Sequence, residues 1–128
     1  GAASLQPESA AVSESLEVHG FLRGHGREWQ RPDGGRVQAL VYEFGSGEAA
    51  AAFDVDSAQL SCAYADDAFT VAGFPDALGL RVRTSGGVRD QVSFLQGARR
   101  YEIRVEQAAS DSYAAISALT EAAVRAAR

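Results

Sequence analysis

The sequence contains no methionine, no lysine and a single cysteine, Cys62. Without a methionine, these 128 residues are expected to be a chain processed or cut from something longer rather than a whole reading frame, with Gly1 a candidate expression scar. All 12 basic residues are arginines spread along the chain against 17 acidic ones, a formal charge of -5. An acidic chain without a basic cluster argues against nucleic acid and anionic membrane surfaces as partners. The arginine-only usage, beside abundant alanine and glycine, reads as the mark of a GC-rich genome rather than of a mechanism. One cysteine rules out an intrachain disulfide and fits either redox compartment. No apolar run approaches the ~20 residues that a membrane span needs. Membrane attachment is therefore expected only through an anchor upstream of Gly1.

What is present is an ordinary globular composition, 46% hydrophobic and 23% charged, of a length that makes one domain. Its organising stretch is 88–107. Tyr101, Ile103 and Val105 alternate with Arg100, Glu102, Arg104 and Glu106, which predicts a strand with one apolar face and one wet face. Val88, Val92, Phe94 and Leu95 supply the preceding strand, and Gln96-Gly97-Ala98-Arg99 the hairpin loop between them. Such a hairpin needs a cover. Tyr113, Ile116, Leu119, Ala123, Val124 and Ala127 recur at helical spacing, with Ser110, Asp111 or Ser112 as N-cap. Tyr101, Ile103 and Val105 are expected to face Ile116 and Leu119.

Upstream, residues 1–15 read as a flexible tether and 16–128 as a single domain. A short helix from Pro7, with Val12 and Leu16 on one face, is expected to end at Gly20. Residues 20–30 mix glycine and aromatics like a bulged strand, and Arg31-Pro32-Asp33-Gly34-Gly35 is a turn. Residues 37–44 are apolar on both faces, as in a central strand. A helix is predicted over 48–62, capped by Ser46, with Ala49, Ala52, Phe53 and Leu60 buried. Further strands are read at 69–74 and 78–84, with a turn at Pro75-Asp76 and a hairpin at Ser85-Gly86-Gly87. Strand–strand–helix thus occurs over 20–62 and 88–127, the pattern of an internal duplication. The fold class is α+β: a mainly antiparallel sheet with two to three helices packed on one face.

Gly20-Phe21, Arg27-x-Trp29, the 41–44 strand running into 49–53, Phe74-Pro75-Asp76-Ala77, and Val92-x-Phe94-x-x-Gly97 before Tyr101 form an ordered set. Over roughly 20–125 it resembles the extracytoplasmic domains of actinobacterial lipoproteins and membrane-anchored proteins. The strand-then-helix segment ending in Cys62 is also similar to the external sensor domain of mycobacterial receptor kinases. Those domains carry disulfide pairs where this chain has one cysteine. The resemblance implies an exported location, tethered or secreted, and a binding or sensing role toward an envelope protein or small ligand. It carries over no catalytic residue.

Catalytic and cofactor chemistry finds little support. Gly45-x-Gly47-x-x-Ala50, with Asp66 or Asp67 beyond it, has the form of a dinucleotide fingerprint. Glu48 puts a negative charge where the phosphate belongs, so a turn and helix cap is the better reading. His19 and His25 on one extended strand would stand about 20 Å apart, and Cys62 has no cysteine partner for zinc. Asp54 and Asp56 begin a calcium loop that Ala58 and Gln59 break, leaving a solvated helix face. Ser46 lacks the full nucleophile elbow, and nothing local activates Cys62. Glu102 and Glu106 among Arg100 and Arg104 read as exposed ion pairs worth less than about 1 kcal/mol each. No catalytic, cofactor or metal residue is therefore assigned.

A binding surface remains, formed by Phe21, Trp29 and Tyr42. Trp29 is better placed as core of a short strand; otherwise it anchors that surface. The leading function is a non-catalytic extracytoplasmic binding or sensing domain. Its competitors are a small hydrolase using His19 or His25 beside an aspartate, and a carrier holding an apolar ligand between helix and sheet. The carrier would need a gap between 49–53 and Leu40, Tyr42 and Phe44. Alanine methyls there predict close approach instead.

Overall fold

The computed structural model describes residues 2–4, 16–30, 35–108 and 113–127. Seven strands form one antiparallel sheet: β1 (Ala2–Ser4), β2 (Phe21–Gln30), β3 (Arg36–Phe44), β4 (Asp67–Val71), β5 (Phe74–Thr84), β6 (Gly87–Gln96) and β7 (Arg99–Ala108). Their order across the sheet is β1-β2-β3-β7-β6-β5-β4. Helix α1 (Gly47–Cys62) follows β3, and α2 (Tyr113–Ala127) follows β7. The α+β class and the antiparallel sheet are as the sequence predicts. Of the tether and the helix expected from Pro7, residues 5–15 lie outside the described residues. At its expected end, 16–18 are helical, and Gly20, at φ +71°, donates its N–H to Glu17 O at 3.3 Å. Only glycine takes this conformation without a steric cost.

The helices do not share a face. Residues directly opposed in an antiparallel pair point to the same side of the sheet. The pairs Val37–Val105, Ala39–Ile103 and Val92–Ile103 therefore define one face, and Leu40–Glu102, Tyr42–Arg100 and Ser93–Glu102 the other. On the first face Val92, Phe94, Ile103 and Val105 pack with Val124 and Ala123 of α2. On the second, Leu40, Tyr42 and Phe44 pack with Ala50 and Phe53 of α1 and with Leu16. Strand β3 is apolar on both faces and needs cover on both; that is why the expected one-sided arrangement fails. The strand–strand–helix order does recur, as β2-β3-α1 and β6-β7-α2. With β3 and β7 adjacent and antiparallel, a rotation normal to the sheet would put both helices on one side. The two units are of opposite hand.

Local choices follow the sequence. Ser46 caps α1, its Oγ accepting from Ala49 N–H at 3.1 Å. Gly97, at φ +60°, turns the β6–β7 hairpin. Pro75-Asp76 is no turn: both lie in β5, and the chain reverses at Ala72-Gly73, where Gly73 has φ +83°. Pro75 precedes the first β5–β6 pair, at Leu78, so its missing N–H costs no ladder bond on that side. On the α2 face Asp90 is fully buried and held by Arg81 (Nε–Oδ1 2.7 Å, Nη2–Oδ2 3.0 Å) and by Thr120 Oγ1 of α2 at 3.0 Å. The side chains of Tyr113, Ile116 and Leu119 are outside the described residues, and with them the expected contacts to Ile116 and Leu119.

Candidate functional site

The charged row of β7, expected to be wet, is buried at Arg100 and Glu102 and half-buried at Arg104 and Glu106. Arg100 is 1% exposed and Glu102 3%. Arg100 Nε donates to Asp54 Oδ1 of α1 at 2.9 Å, and its Nη1 to Glu102 Oε1 at 3.0 Å. Arg104 Nε donates to Glu102 Oε2 at 2.7 Å. The Arg100 guanidinium also lies 5.5 Å from the centre of the Phe53 ring. Alternation of apolar and charged residues shows that the two faces of a strand differ. It does not show what the charged face meets, and here it meets a helix carrying a carboxylate.

Burial pushes the Glu102 carboxyl up, but Arg100 and then Arg104 outweigh it and hold the group below the ordinary carboxylate value. Burial likewise pushes Arg100 down, and Glu102 and Asp54 outweigh it, so that its value is raised. Both groups are charged at neutral pH. A carboxylate held so firmly ionised is poorly matched to proton transfer near pH 7.

Beyond this cluster the C-terminal half of α1 stands off the sheet. Between it and β5–β7 lies a cleft of about 430 Å³. Leu60 and Tyr64 from the helix side and Leu80 and Val82 of β5 make apolar walls; Arg89, Gln91, Arg100, Glu102 and Arg104 are its polar lining. Tyr64 is 76% exposed, at the mouth. Gln91 Nε2 reaches Ser61 Oγ at 3.4 Å and Glu102 Oε1 at 3.3 Å, both long. Arg89 Nε is buried without a hydrogen-bond partner. The close approach expected between 49–53 and β3 does occur, with Ala50, Phe53 and Phe44 all buried. The gap opens one to two turns further along α1.

Of Phe21, Trp29 and Tyr42, the structure brings Phe21 and Tyr42 together and leaves Trp29 apart. Phe21 packs edge-on against Tyr42 and Phe44, with ring centres 6.0 and 6.1 Å away. Tyr42 is buried under α1 and reaches the cleft. Trp29 pairs with Val37 on the opposite face and is 48% exposed, so it is not the core residue that its type favours. It borders a second hollow, of about 610 Å³, with Val37, Val41, Ala122 and Ala126.

His19 meets a carboxylate, Nε2 to Asp56 Oδ2 of α1 at 2.6 Å, while His25 is exposed on β2. Among the described residues no serine, threonine or cysteine is hydrogen-bonded to the His19 ring, so the pair clips 16–20 to α1 without a nucleophile. Asp54 and Asp56, expected on a solvated face, each hold a partner from elsewhere in the chain. Asp66, one of the two aspartates beyond the fingerprint glycines, accepts the Arg83 N–H at 2.7 Å. Among the described residues no three of His, Cys, Asp and Glu gather at metal-binding distance. The sequence reading missed the cleft, whose lining comes from five separated elements, α1, β3, β5, β6 and β7.

An antiparallel sheet with α1 on one face and α2 on the other, and a charged recess under α1, is the class that this geometry defines. No protein-family model matches the chain, and no curated protein does. In fold it is similar to the extracellular domain of PknH from Mycobacterium tuberculosis, with a TM-score of 0.57 and 12% identity over 98% of this chain and 78% of that one.

Proposed function

We propose that this chain is a non-catalytic extracytoplasmic binding or sensing domain, part of a membrane-tethered or secreted envelope protein, and that it takes a small ligand in the cleft beneath α1. The cleft carries the reading: a concave site of about 430 Å³ with apolar walls and a few convergent polar groups has the size and make-up of a small-molecule site. The fold likeness to an extracellular domain supports the location. The mutual pairing of Arg100, Glu102 and Asp54 supports binding over catalysis, because these charges are already committed to one another.

A fragment screen followed by amide chemical shifts tests the site. Ligands are expected to move Leu60, Tyr64, Leu80 and Gln91, and Ser61→Trp is expected to abolish the shifts. Shifts confined to Trp29, Val37 and Val41 would replace this reading with that of an apolar-ligand carrier. The hollow of about 610 Å³ beside α2 favours that second reading. Location is tested on the full-length protein in intact cells, where added protease is expected to reach this domain.

A further inference from the structure

We propose that the cleft is built for a small organic carboxylate with an apolar body, its carboxylate group seated on Arg89. This rests on the cleft being the binding site.

Three guanidinium groups line the cleft, those of Arg89, Arg100 and Arg104. Two carboxylates answer them: Glu102, and Asp54 behind Arg100. Three positive charges against two negative ones leave one positive charge, in a chain whose overall charge is -5. That charge is not shared equally. Arg100 and Arg104 each spend Nε on a carboxylate, at 2.9 and 2.7 Å. Arg89 Nε has no partner although it is buried.

The residues flanking Arg89 leave its Nε uncommitted. Across one ladder it faces Val82, which has nothing to accept its proton; across the other it faces Glu106. Glu106 is engaged elsewhere, both its oxygens 3.0 Å from Arg36 Nη2. A buried donor without an acceptor is unfavourable, and a ligand oxygen placed there removes the penalty.

The chemistry of the site narrows the ligand. A guanidinium edge offers parallel N–H groups that match the two oxygens of a planar carboxylate. One uncompensated positive charge suits a monoanion; a phosphate dianion would leave negative charge unpaired beside Glu102. Gln91, whose two hydrogen bonds are long, can turn its amide to a second ligand oxygen. Leu60, Leu80 and Val82 then cover an alkyl or aryl body.

Calorimetric titration with octanoate and 3-phenylpropanoate, and with the corresponding amides and ammonium compounds, tests this on the wild-type chain, Arg89→Gln and Ser61→Trp. At least one carboxylate is expected to bind once per chain, its amide at least tenfold more weakly and its ammonium analogue not at all. Arg89→Gln is expected to weaken the carboxylate at least tenfold and leave the amide unchanged. The Arg89 Nε–H resonance of the wild-type chain should move downfield on adding the carboxylate, a readout that does not depend on the variant folding. Equal binding of carboxylate and amide, or an unmoved Nε–H resonance, overturns the carboxylate assignment. Loss of that binding in Ser61→Trp would still uphold the cleft. If none of the compounds binds, the carboxylate assignment falls, while the small-ligand reading stands or falls with the fragment screen.

Discussion

Asp54 and Arg100, 46 residues apart in sequence, are joined by a 2.9 Å hydrogen bond that fixes α1 to the charged face of the sheet. The contact is one arm of a cluster in which Arg100 also binds Glu102, and Glu102 binds Arg104. Its strength lies in completeness, because buried charges that lose a partner are costly.

Arg100→Met should therefore cost about 3–5 kcal/mol, by leaving Glu102 with Arg104 as its remaining cation. Asp54→Ala should cost less, about 1–3 kcal/mol, since Asp54 is nearer to water. Urea unfolding of the two variants checks the order. A wild-type midpoint in Arg100→Met would show that the cluster contributes nothing net.

Acid should loosen the α1 face. The Glu102 carboxyl is held below its ordinary value of 4.5, which is where it titrates in the unfolded chain. A depressed folded value gives stability that is complete above about 4.5 and is lost as pH falls through the folded value. In Glu102→Gln the slope of unfolding free energy against pH in that acid range should be smaller. An unchanged slope would mean that other carboxylates account for it.

Gly79 has no room for a methyl group. A Cβ there would stand 2.5 and 2.6 Å from two carbons of the Phe69 ring and 2.7 Å from the Phe69 carbonyl oxygen. The ring can turn away, but the carbonyl moves only with β4. Gly79→Ala should cost about 1–3 kcal/mol, the usual range for overpacking. Thermal unfolding reads it directly, and an unshifted midpoint would contradict the packing described.

The two faces of β7 can be weighed against each other. Ile103→Ala should cost about 2–5 kcal/mol through lost burial against the α2 side. Arg104→Ala should cost about 1–3 kcal/mol through its bond to buried Glu102. As an exposed arginine it would have stayed within about 0.5 kcal/mol. Chemical denaturation separates these values, and a neutral Arg104→Ala would restore the wet-face reading.

Much of the architecture is legible because it is local. Hydrophobic alternation places β7, Ser46 marks the start of α1, and Gly97 marks the hairpin. What is not legible depends on partners distant in sequence. A row of Arg and Glu has the same pattern whether it faces water or Asp54 from a helix 46 residues away. The better clue is β3, apolar on both sides: a strand of that kind has no wet face, and its neighbour β7 shares the cover of a helix on each side. Trp29 misleads for the complementary reason, since residue type favours burial while its place on β2, next to the short strand β1, leaves it half exposed. The cleft has no short motif at all. Leu60, Leu80, Arg89 and Arg104 meet there only because α1, β5, β6 and β7 are layered.

That the helices lie on opposite faces gives the chain a built-in pair of optical reporters. Its single tryptophan, Trp29, lies on the α2 side, and its single cysteine, the exposed Cys62, ends α1. Indole emission follows one layer, and a fluorophore attached to the thiol follows the other, without any engineered residue. Recorded on the same sample, the two traces would show whether the layers separate from the sheet in one cooperative step or in two.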